Sequence, residues 1–121
     1  MANLLHRFCL LSLLLCLGIP IAVHSAERLI LIDDFMLGYA SLKGERIEIR
    51  GWGRHEGGKL VLKNAPMDIK AVNIDYTNVS QNQRMQLLKS CGNFSSCKIS
   101  VIGKVSDDIS KPGILAEQIV F

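Results

Sequence analysis

Histidine is scarce in this chain, with three copies in 121 residues, and His6, His24 and His55 lie far apart. Aromatic rings are few as well: one tryptophan, two tyrosines and four phenylalanines. A surface that stacks several bases is therefore short of parts. The longest apolar run, at residues 8–17, is interrupted only by Ser12. It falls short of the ~20 residues that a membrane-spanning helix needs. Charge of one sign is not in excess, since 14 basic and 11 acidic residues leave a net +3. So weak a bias implies no polyanion partner by itself, although a local patch is compatible with it. No serine sits in the glycine-flanked pattern of a nucleophile elbow.

What is there begins with an export leader. Arg7 precedes the run FCLLSLLLCL, Gly18 and Pro20 break it, and AVHSA supplies small residues for a peptidase. This is the tripartite layout of a secretory signal. Val23 and Ser25 favour cleavage after Ser25, with Ala26 the other candidate. A lipoprotein site at Cys16 is disfavoured by Leu15, which stands where a small residue is expected. Cleavage removes Arg7 and lowers the net charge by one; it also removes Cys9, Cys16, His6 and His24. Cys91, Cys97 and His55 remain, too few for a zinc site built from Cys and His. The implied location is periplasmic or secreted, an oxidising compartment in which Cys91 and Cys97 are expected to form a structural disulfide. Redox chemistry is disfavoured, because Cys91 is expected at a helix C-terminus, where the dipole opposes a thiolate.

Downstream, the pattern is mainly β. In KGERIEIRGWG, residues 43–53, Ile47 and Ile49 alternate with Glu48 and Arg50, and Gly51 and Gly53 mark a bend. Glu56-Gly57-Gly58 is a hairpin turn into KLVLK, residues 59–63. Residues 70–76 read as a third strand. Ser80 as N-cap with Gln83 as capping-box partner predicts a helix whose face carries Met85, Leu88 and Cys91, ended by Gly92. KISVIGKV, residues 98–105, alternates as a fourth strand, and residues 114–121 form a fifth without clean alternation. Gly103 is expected to mark a close backbone approach. Residues 29–39 read as a short strand or extended segment, then a helical turn capped by Asp33.

A long glycine-bent first strand and one helix between the third and fourth strands mark the OB-fold. With GERIEIRGWG, CGNFSSC, KISVIGKV and ILAEQIVF, the chain resembles small exported bacterial OB-fold proteins, grouped as tRNA-anticodon-like domains. That resemblance implies a five-stranded Greek-key barrel over residues 43–121, and no activity for any residue. Residues 1–25 are the signal and residues 26–42 an N-terminal extension.

Candidate functional residues are few. GRHEGGK, residues 53–59, matches the start of a phosphate-binding loop. Leu60 replaces its Ser or Thr, and a strand is expected where the motif needs a helix. His55 reads as a solvated residue at the hairpin tip, and no haem motif surrounds it. Arg50, Trp52, Arg54, Lys59 and Lys63 would form a basic strip with one stacking ring if Trp52 faces outward, the combination with which OB-folds bind single strands. Asp33-Asp34 and Asp107-Asp108 sit at turns or caps, where aspartate is common anyway. Two sequons, at Asn78 and Asn93, read as chance in a bacterial chain. The expected function is an exported binding or adaptor module, not an enzyme, with no metal or cofactor. Its partner is an envelope protein or an anionic polymer such as single-stranded nucleic acid, and the membrane is met only through the leader. A small periplasmic hydrolase or nuclease, or a structural envelope protein, are the alternatives.

Overall fold

The computed structural model describes residues 27–92, 95–108 and 112–121. The expected leader, its expected cleavage site and Asn93 lie outside the described residues. The elements run β1 (Arg28–Ile30), α1 (Ile32–Leu42), β2 (Arg46–Glu56), β3 (Lys59–Lys63), β4 (Val72–Asp75), α2 (Gln81–Ser90), β5 (Cys97–Val105) and β6 (Gly113–Val120).

The strands form one sheet in the order β1-β2-β3-β4-β6-β5, and β2 also pairs with β5, which closes it. Strands β2 to β6 thus make an OB-fold-like barrel, with α2 joining the third and fourth of the five. The sheet has six strands instead of the expected five. β1 lies parallel to β2, with Arg28 opposite Ile47 and Ile30 opposite Ile49.

The helical turn expected after it is an eleven-residue helix, and Leu31, not Asp33, holds its N-cap position without a side-chain bond. Ile32, Phe35, Tyr39 and Leu42 recur at three- and four-residue steps and are buried. That apolar stripe makes the helix, while Asp33 and Asp34 complement its N-terminal dipole. The Tyr39 hydroxyl donates to the carbonyls of Ser106, at 3.0 Å, and Asp108. Residues assigned to an extension therefore share the barrel's core.

β2 serves two neighbours because it bends. Arg46 to Gly53 pair with β5, and Trp52 to Glu56 pair with β3. A Cβ on Gly51 would stand 2.6 Å from both the Lys63 carbonyl oxygen and Ile32 Cδ1. Between β5 and β6 the register shifts: Ile102 faces Gln118 and Gly103 faces Ala116. Glu117 is the extra residue, so burial switches from Ile114 and Ala116 to Ile119. This bulge is why residues 114–121 show no clean alternation.

The β2–β3 hairpin turns on Gly57 and Gly58, with φ of 57° and 79°. Two successive positive φ values define the two-residue turn that matches strand twist. Lys59 opens a strand, so the phosphate-loop pattern has no helix behind it.

At α2, Ser80 Oγ accepts from the Gln83 N–H at 3.3 Å. Gln83 Oε1 accepts the Ile119 N–H of β6 at 3.0 Å, so this side chain reaches across to the sheet. The buried residues are Leu87 and Cys91, while Met85 and Leu88 are exposed, which corrects the expected face. The bridge from Cys91 to Cys97 fixes the rotation: Leu87, one turn before Cys91, is carried inward with it.

The disulfide closes a loop of sequence separation 6 with its Cα atoms 5.1 Å apart. Protein folded under oxidising conditions should weigh two hydrogens less than its reduced form. Reduction should cost about 2 kcal/mol of stability by the loop-entropy relation. Two free thiols in the folded protein under those conditions would refute the bridge.

Candidate functional site

The bend at Gly51 allows Trp52 to turn into the core or the barrel rim, the reading its sequence context favours over the outward one. Strand register, however, decides which side chains share the outer face of the barrel. Trp52 stands opposite Lys63 on β3 and Lys98 on β5. Arg54 faces Val61, Glu56 faces Lys59, and Arg50 faces Ser100. All five residues of the expected strip thus lie on one face, because paired residues project to the same side. Trp52 faces outward and is half-buried, with Lys98 Nζ 5.9 Å from its ring centroid. Lys98 is the cation that sequence reasoning missed. Only the pairing of β2 with β5 brings it to the ring.

The strip is less basic than its composition. Arg50 Nε bonds Glu48 Oε2 at 2.8 Å, two residues along the same strand. Lys63 Nζ bonds Glu56 Oε1 at 2.6 Å, and Lys63 is 8% exposed. Its side chain spans from the Trp52 rung to the Lys59 rung, over the rung of Arg54 and Val61. The methylene stem covers apolar surface while the ammonium meets its acid, as long cationic side chains do. Arg54 Nε is buried without a hydrogen-bond acceptor among the described residues. Lys59 is exposed at the hairpin, and neither Lys59, Lys98 nor Arg54 has a carboxylate partner among the described ion pairs.

His55 is not a solvated tip residue. It follows Ile47, Ile49, Gly51 and Gly53 on the inward side of β2 and is buried. Its Nδ1 lies 2.7 Å from the Cys91 carbonyl, and its backbone N–H donates to the same oxygen at 3.3 Å. A carbonyl only accepts, so Nδ1 carries a proton, and Nε2 shares a hydrogen bond with the Tyr76 hydroxyl at 3.2 Å. His55 thereby ends helix α2, a role expected of Gly92. The rings of His55 and Tyr76 meet edge-on at 5.6 Å.

Acids do not gather into a centre. No group of three or more His, Cys, Asp or Glu is placed to hold a metal among the described residues. Asp33 accepts from Asn64 Nδ2 at 2.9 Å. The Thr77 hydroxyl and then the Thr77 backbone N–H donate to Asp75, holding its carboxyl below the usual range.

A second concavity lies away from the predicted residues. One groove of about 380 Å³ is lined by Ile32, Asp33, Asn64, Met67, Asp68, Ile69 and Lys70. A neighbouring one of about 410 Å³ shares Asp33 and Lys70 and adds Met36 and Leu37. Both lie between α1 and the β3–β4 loop.

Among the described residues, no helix is long and apolar enough to cross a membrane. No family model and no curated protein matches this chain. Among solved structures it is similar to three OBody proteins bound to hen egg-white lysozyme, at 14 to 15% identity and TM-scores of 0.47 to 0.48. Those matches cover 66 to 68% of this chain and 80 to 84% of theirs.

Proposed function

We propose that the chain is an exported, non-catalytic binding module whose outer barrel face engages an anionic polymer. Supporting export are the leader-like N-terminus and the bridged cysteine pair. The observation that carries the ligand class is the arrangement around Trp52. An outward, half-buried ring has Lys98 beside it, Arg54 two residues along β2 and Lys59 at the hairpin end of the same face, and these three have no carboxylate partners among the described ion pairs. A ring with cations beside it is how barrels of this kind hold a single strand. Arg50 and Lys63, neutralised by Glu48 and Glu56, contribute little.

The test is Trp52 fluorescence of the mature, oxidised chain at low salt, titrated with an oligo-dT strand, heparin and polyglutamate. Quenching is expected with at least one. With about three cations engaged, the log–log salt slope should be about −2 for the single strand. Trp52→Ala should weaken binding by about 1 to 3 kcal/mol. Lys98→Ala should flatten the slope, and Arg50→Ala should barely change it. No spectral response to any of the three polymers, in a folded sample, refutes this reading.

A further inference from the structure

The groove between α1 and the β3–β4 loop presents exposed apolar side chains. Ile69 is 98% exposed, Met67 90% and Leu37 87%, the three most exposed large apolar side chains among the described residues. They line two adjoining concavities joined through Asp33 and Lys70. Single exposed apolar residues are ordinary, but a contiguous patch in a groove marks an interaction surface.

The loop that presents them is held in place. Asn64 Nδ2 donates to Asp33 Oδ1 on the first turn of α1. Asp68 closes a turn on itself, its N–H donating to the Ala65 carbonyl at 3.0 Å and its Oδ2 accepting the Ala65 N–H at 3.2 Å. Met67 sits inside that turn and Ile69 just after it. Their outward position is thus set by bonds at the base of the loop, and less side-chain and loop entropy is lost on docking.

Charge selects the occupant. Asp33 and Asp68 line the groove against Lys70 alone, and Asp34 lies exposed beside Asp33. This acidic rim opposes the headgroups of an anionic membrane. It also disfavours a second copy docked isologously, which would bring two net-acidic rims together. We propose that the groove docks a short segment of a partner protein that supplies apolar anchors flanked by lysine or arginine. The chain then has two recognition surfaces of opposite sign: a cationic face around Trp52 and an acidic, apolar groove beside α1.

Panning a displayed library of random 12-residue peptides against the mature, oxidised chain tests this. Enriched peptides should combine two or more of Leu, Ile, Phe or Met with Lys or Arg. Synthetic versions should bind at least tenfold more weakly to Ile69→Ser and to Leu37→Ser. Both substitutions are at exposed positions, and an unchanged thermal midpoint would certify their folding. Asp33→Asn keeps an acceptor for Asn64 but removes the charge; it should weaken binding severalfold and reduce its salt dependence. Failure of enrichment, enrichment of acidic peptides, or affinities unchanged in both serine variants would overturn the proposal. So would Ile69-dependent self-association in sedimentation velocity, or Ile69-dependent co-sedimentation with phosphatidylglycerol vesicles.

Discussion

Replacing Gly103 with valine should destabilise the domain by about 3 kcal/mol or more, the upper range for overpacking. A Cβ there would stand 2.1 Å from the Leu115 carbonyl oxygen and 2.9 Å from Ala116 Cα. Both are backbone atoms of β6, in the rung next to the bulge at Glu117. A flexible side chain can swing aside, but a paired strand yields only by losing its register. In a domain of this size the shift in Tm should be on the order of 15 °C. Urea unfolding followed by circular dichroism measures it. Gly57→Ala is the informative contrast. Its Cβ meets nothing within 4 Å, yet φ is +57°, so only the left-handed strain of about 1 to 2 kcal/mol applies. If the two variants are equally stable, the close approach of β5 and β6 is not what constrains Gly103.

Phe35→Ala should cost about 3 to 5 kcal/mol, as large-to-small changes at buried aromatics do. Phe35 is fully buried, and its ring meets that of Tyr39 at 5.5 Å and 58°. On the same helix, Leu37→Ala should change stability by less than about 0.5 kcal/mol, because Leu37 lies in solvent. The pair separates a helix that builds the core from one that merely leans on it. A cost below about 1 kcal/mol for Phe35→Ala, read from the urea midpoint, would make α1 an appendage.

These two positions also show how far the chain could be read before its structure. Gly103 was legible, because a glycine in an alternating strand has few explanations other than a close approach. The hairpin at Gly57-Gly58 and the Ser80 cap were legible for the same reason: local chemistry demands those residues there. Helix α1 was misread because Asp33-Asp34 interrupts the apolar run and suggests a cap. The stripe of Ile32, Phe35, Tyr39 and Leu42 was the stronger signal. The short strand or extended segment read before that helix is β1, but its place as a sixth strand, parallel to Ile47 to Ile49, depends on a partner that the local pattern does not name. His55 carried a readable sign, the same parity as Ile47 and Ile49, which was outweighed by its nearness to the turn. For the binding face, alternation placed Arg50, Trp52, Arg54, Lys59 and Lys63 together. It left open that Glu48 and Glu56 neutralise two of them, because side-chain reach is not a matter of parity. Lys98 and the groove depend on pairings between distant segments.

Closure of the barrel between β2 and β5 has a consequence for the order in which the chain folds. Arg46 meets Lys104 and Gly53 meets Cys97, so the seam joins distant parts of the sequence. By contrast, the β2–β3 hairpin turns on two glycines and needs nothing downstream. Local pairings form early, and those that must first close a long loop form late. A polypeptide emerging N-terminus first can make the hairpin as it appears. It cannot close its barrel until β5 has arrived. Until then Ile47 and Ile49 lack their neighbours Gly103 and Val101, and the seam edge of β2 keeps its backbone groups unpaired.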